Sequence, residues 1–100
     1  MKVIVKAPYE RIGHLAEISS SLEDMQKIVD GWIEPVYVDD RFIIVCNEEG
    51  KLRQMDVNFR IPHDIICGTV FVCGDGEEDF EDVPIGLEEW AKCLQKWGNA

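Results

Sequence analysis

A chain of 100 residues with nine aromatics and a 30% charged fraction makes one self-sufficient domain with a single modest core, which excludes disorder. Twenty acids against ten bases give a formal charge of -10, and the excess is uneven: residues 1–60 carry eleven acids and eight bases, residues 61–100 nine acids and two bases. An anionic surface repels nucleic-acid phosphates and anionic lipid, so direct binding to DNA, RNA or membrane is disfavoured and a basic or DNA-binding protein is the better-matched partner.

In chain order, the β-branched run Lys2–Lys6 predicts a first strand covered on both faces and stopped by Pro8. Leu15, Ile18, Leu22, Met25 and Val29 recur at helical spacing, but Ser19-Ser20-Ser21 is a helix start, with Ser20 and Glu23 in an S-x-x-E capping box. The reading is therefore a second strand within Arg11–Ile18, paired with the first, and a helix over Ser21–Asp30 ending at Gly31, with Leu22, Met25, Ile28 and Val29 inward. Trp32–Val38 predicts a strand that Pro35, having no N–H, assigns to an edge or a bulge. After a turn at Asp39-Asp40, the consecutive apolar residues Phe42–Val45 predict a central strand buried on both faces.

Cys46-Asn47-Glu48-Glu49-Gly50-Lys51-Leu52 then reads as a hairpin turn closed by Gly50, because adjacent hydrated glutamates without a His, Ser or Cys partner lack the raised pKa of a general acid. Lys51–Pro62 reads as irregular, with Leu52, Met55 and Phe59 anchoring it. Ile65–Cys73 is a further apolar strand with a bulge or close approach at Gly68. Asp75–Asp82 places six acids in eight residues and reads as a solvated loop, with Phe80 available to the core. Leu87, Trp90, Ala91, Leu94 and Trp97 predict a helix over 87–97, with Glu88 and Glu89 at its positive end, Lys92 and Lys96 towards its negative end, and Gly98 beyond.

The order strand, strand, helix, three strands, helix is an α+β domain: a mostly antiparallel sheet of about five strands, with helices covering one face and no internal domain boundary. No run reaches the ~18 to 20 apolar residues of a membrane helix, and the N-terminus lacks the apolar length of a signal peptide, so a cytoplasmic chain is expected.

Cys46, Cys67, Cys73 and Cys93 match no metal or redox spacing; three of them lie in Ile/Val runs, and buried reduced thiols are expected. His14 and His63 are too isolated for a metal site. Asp75, Glu77 and Asp79 alternate as in a calcium loop, but Phe80 stands where the loop glycine belongs and Gly86 where the bidentate glutamate belongs. The glycines form no nucleotide-binding motif. Trp32, Trp90 and Trp97 are read as packing residues, with Trp90 and Trp97 able to extend to a partner face. No metal or cofactor is expected.

The succession Leu22 to Glu34, then Asn47-Glu48-Glu49-Gly50-Lys51-Leu52, Asn58 and Asp64-Ile65-Ile66-Cys67-Gly68, resembles domain-of-unknown-function family 3846 over about residues 1–73. The pattern is L-x-x-L-Q-x-x-V-G-G-[YW]-I-E, N-E-E-G-K-L, an Asn, and D-I-I-x-G, from which Met25 and Asp30 depart. The resemblance implies a small protein of bacterial phages, plasmids or other mobile elements, with no activity attached. It favours an extended segment at Arg11–Ile18 and marks Asn47, Glu48, Glu49, Gly50, Lys51 and Asn58 as motif positions.

Three functions follow as expectations. The first is a non-enzymatic interaction protein whose acidic surface, Asp75, Glu77, Glu78, Asp79, Glu81 and Asp82 with Glu88 and Glu89, engages a host or element-encoded protein and in its sharpest form mimics DNA. The second is a ligand-binding or catalytic site where Asn47, Glu48, Lys51 and Asn58 converge. The third is a module that oligomerises through a free strand edge or the Trp90/Trp97 face.

Overall fold

A computed structural model describes all 100 residues. In chain order the elements are β1 (Lys2–Lys6), β2 (His14–Glu17), α1 (Leu22–Val29), β3 (Ile33–Asp39), β4 (Phe42–Asn47), β5 (Val57–Ile61), β6 (Asp64–Cys67), β7 (Val70–Asp75), β8 (Phe80–Glu81) and α2 (Leu87–Lys96). The main sheet has the order β2-β1-β7-β4-β3, with β8 paired to the end of β7; β5 and β6 form a separate two-stranded sheet. Every pairing is antiparallel, so the α+β class and antiparallel sheet are as expected. No helix is long and apolar enough to cross a membrane.

The helices do not share one face, contrary to expectation. β4 and β7 are buried at every core position, so alternate residues point to opposite sides and both faces need a cover. Ile43, Val45, Phe71 and Cys73 pack with Met25 and Val29 of α1. On the other side Phe42, Ile44, Val70 and Val72 pack with Trp90 and Leu94 of α2 and with Phe59, Ile61 and Ile66 of the small sheet. Trp90 is fully buried and meets Phe42, Phe59 and Trp97 edge-on at centroid distances of 5.7, 5.5 and 5.9 Å. Its indole N–H donates to Ile12 O at 2.9 Å. Trp32, by contrast, is 64% exposed and is not a packing residue.

Three further elements differ from expectation. The segment read as irregular contains β5, whose inward Phe59 and Ile61 alternate with outward Arg60. The run read as one strand is two, because the chain turns at Gly68 (φ +83°), sending β6 to β5 and β7 to the main sheet. Part of the acidic loop is β8, which closes a hairpin on β7. Helix α1 is capped one residue later than the sequence suggests, with Ser21 Oγ accepting from Asp24 N–H at 3.2 Å. Leu22 and Leu52, expected inside, are exposed. All four cysteines are buried and free, as expected; burial pushes the Cys46 thiol up to about 11 and the Cys73 thiol up to about 12.

Candidate functional site

The Asn47–Leu52 motif is spent on architecture. It does not close a β-hairpin, because β4 pairs with β3 and β7 while β5 pairs with β6; it is the crossover between the two sheets. Asn47, only 5% exposed, donates from Nδ2 to the carbonyls of Val29 and Asp30, both at 3.0 Å. Its Oδ1 accepts the Glu49 N–H at 2.7 Å. One side chain therefore joins the end of α1 to the end of β4 and shapes the turn that follows. Gly50 is needed for space rather than for positive φ, since a Cβ there would lie 2.8 Å from the Cys67 carbonyl oxygen.

Lys51 pairs with Asp64 of β6. Their hydrogen bond raises the lysine above its ordinary value and holds the Asp64 carboxyl below the usual carboxylate range. Glu48 and Glu49 are exposed and make no ion pair.

Asn58 does not converge with this group. It lies across the small sheet, donating from Nδ2 to Lys6 O and Gly68 O, both at 2.8 Å, and accepting from Lys6 Nζ at 2.6 Å. Lys6 is buried, and that burial pushes its ammonium below the ordinary 10.5 against the opposing pull of Glu10. Asn58 thus ties β1, β5 and the β6–β7 turn together around one enclosed cation.

The acidic segment is differently employed. Asp75, Glu77, Glu78, Asp79, Glu81 and Asp82 are all exposed, and none forms a salt bridge. Their backbone is ordered by the pairing of Gly74 with Glu81 and Asp75 with Phe80, and by Gly76 N–H donating to Asp79 O at 2.9 Å. Phe80 packs against the α1-side core, and Asp82 accepts the Lys2 N–H at 2.8 Å. The carboxylates therefore stand on a fixed hairpin.

Glu88 and Glu89 do not join that hairpin as one acidic face. They lie in the first turn of α2, on the other side of the sheet, and Glu89 pairs with Arg41 at 3.4 Å.

Two residues that the charge pattern did not single out complete the acidic surface. Tyr37, on the α1 side of β3, is 64% exposed and lies between two shallow depressions. One, of about 480 Å³, is walled by Asp75, Glu77, Glu78 and Asp79; the other, of about 390 Å³, by Asp39, Asp40 and Asp75. Asp39 is occupied by Arg41, whose hydrogen bond holds its carboxyl below the usual range, but Asp40 is in no salt bridge. Only the strand period hints at Tyr37, since Ile33, Pro35 and Tyr37 alternate with Glu34, Val36 and Val38. The arrangement, an exposed phenol flanked by carboxylates of which only Asp39 is ion-paired, holds no cluster that could bind a metal ion but is chemically suited to an organic cation.

No curated protein and no solved structure matches the chain. A family model does, over residues 1–95, taking in the acidic hairpin and most of α2 beyond the Asn47–Leu52 and Asn58 motifs. The chain therefore belongs to the family described as a domain of unknown function (DUF3846).

Proposed function

We propose that the protein is a non-enzymatic interaction module that works in the cytoplasm and binds a basic surface of a partner protein through Tyr37 and the carboxylates around it. The observation that carries this reading is the contrast in how polar groups are used. Asn47 and Asn58 are bonded inside the fold and Lys51 is paired with Asp64 at its surface, whereas the β7–β8 carboxylates are exposed and in no ion pair beside an exposed tyrosine.

An aromatic face and nearby carboxylates together suit lysine and arginine, the ring attracting the cation and the carboxylates pairing with it. Tyrosine is also a residue that supplies interface energy at low entropic cost. In its sharper form the partner is a DNA-binding protein of a host or a mobile element, and the hairpin carboxylates occupy the positions of phosphates.

Affinity capture from a bacterial lysate, followed by elution with duplex DNA, tests this. The wild-type chain is expected to retain proteins that duplex DNA releases. Both Tyr37→Ala and the triple change Glu77→Gln, Glu78→Gln, Asp79→Asn should lose them while melting as cooperatively as the wild type. Identical capture by wild type and variants would sink the proposal; capture lost in the variants but resistant to DNA would retain the interaction and discard the mimicry.

A further inference from the structure

The opposite side of β3 carries a second surface. Glu34, Val36 and Val38 face the α2 side, where two depressions of about 320 and 570 Å³ lie end to end. Val36 and Ile61 line the first, Val38 and Pro62 the second, so the two follow one another along the strand as a broken trench. β3 pairs only with β4, so its outer backbone edge is free along the same line, interrupted at Pro35, which has no N–H to donate, and by the bulge between Val36 and Asp39.

The trench is apolar in the middle and charged at its ends. At one end Lys51 is paired with Asp64, which leaves Glu34 and Glu48 in no salt bridge. At the other Arg41 is paired with Asp39 and Glu89, which leaves Lys92 and Lys96 in none. After Lys51 cancels Asp64 and Arg41 cancels one of Asp39 and Glu89, the trench is negative beside the start of β3 and, by the surplus of Lys92 and Lys96 over the remaining acid, weakly positive beside its end.

We propose that this trench receives an extended segment of a partner protein, added as a strand to the free edge of β3. Main-chain hydrogen bonds supply affinity in such additions, and alternate side chains entering pockets supply specificity. An antiparallel segment continues the pattern of the sheet. It enters opposite Asp39 and leaves opposite Ile33, and its side chains opposite Val38, Val36 and Glu34 share their α2 face, so it presents an acid at its second position, towards Lys92 and Lys96, a small apolar residue at its fourth, and a base at its sixth, towards Glu34 and Glu48. Seven residues match the seven of β3. This surface is separate from the Tyr37 face, and either can fail without the other.

The probe is an end-blocked, fluorescein-labelled heptapeptide, Thr-Glu-Thr-Val-Thr-Lys-Thr, compared with the same residues in reverse order. By fluorescence anisotropy the wild type is expected to bind the first order at least about fivefold more tightly, and the double variant Glu34→Lys, Lys92→Glu to prefer the reverse order. Should that variant melt without cooperativity, the single changes Glu34→Gln and Lys92→Gln take its place, each expected to weaken the first peptide. Tyr37→Ala should leave peptide affinity unchanged.

Absence of saturable binding up to about 1 mM peptide would overturn the proposal. Equal affinity of both orders for wild type and variant would do the same. So would a wild-type dimer, seen by sedimentation, that the charge changes dissociate, because β3 would then be covered by a second copy.

Discussion

At the residue scale, the two motif asparagines are structural ties. Removing Asn47 leaves the Val29 carbonyl and the Glu49 N–H without their side-chain partner at a site nearly closed to water, while the Asp30 carbonyl keeps the Arg53 Nη1 donor at 2.6 Å. Asn47→Ala should therefore cost about 3 kcal/mol, read as a lower urea midpoint at an unchanged slope. Glu48→Gln, on the same turn but exposed and without an ion pair, should leave the midpoint where it is. Equal effects of the two changes would mean that the turn is not held by Asn47.

Lys6 gives a pH signature at the same scale. Its folded pKa lies below the unfolded value of 10.5, so between the two the unfolded chain binds more protons and stability rises with pH. The charged form is the costly one, and the cost is relieved as the buried amine deprotonates. Urea midpoints of the wild type minus those of Lys6→Met should therefore climb as the pH approaches 10.5; a flat difference would place the ammonium in water.

At the element scale, backbone contact joins the two sheets where sequence patterning is weakest. The Gly50 Cα faces the Cys67 carbonyl, and the methyl of Gly50→Ala has to push β6 away from the β4–β5 crossover. A loss of about 1 to 3 kcal/mol in chemical denaturation is expected, as for other overpacked sites. Gly86→Ala is the control, because no atom lies within 4 Å of a Cβ there.

The same crossover limits what periodicity reveals. β1, β4 and both helices announce themselves because each buries a regular apolar pattern, and Pro35 identifies β3 as an edge. β5 is hidden by its length, two inward residues in five, amid a polar segment. The need for cover on both faces was implicit in Phe42–Val45, since a strand apolar on consecutive positions requires two covers; α1 provides one, and α2 with the small sheet provides the other. In the candidate surface the carboxylates were legible as a charge run. Tyr37 and Asp40 were not, because they reach the hairpin through sheet order rather than through chain proximity.

At the scale of the whole molecule, the net charge of -10 sets a cost that salt should expose. Six unpaired carboxylates on one hairpin, with Asp40 beside them, repel one another in the folded state more than in the expanded unfolded chain. Raising ionic strength from about 0.01 to 0.5 M shortens the screening length from about 30 Å to a few ångström, so the melting temperature should increase over that range. Neutralising Glu77, Glu78 and Asp79 together should raise the low-salt melting temperature and flatten its salt dependence. The sign matters for function: groups that weaken the fold and, Asp82 with its bond from Lys2 apart, bind nothing within it are explained by solubility or by a partner. If the neutralised chain is more stable, equally soluble and no longer captures partner proteins, binding is the explanation; if it precipitates yet captures normally, the charge serves solubility and the interaction reading fails at that surface.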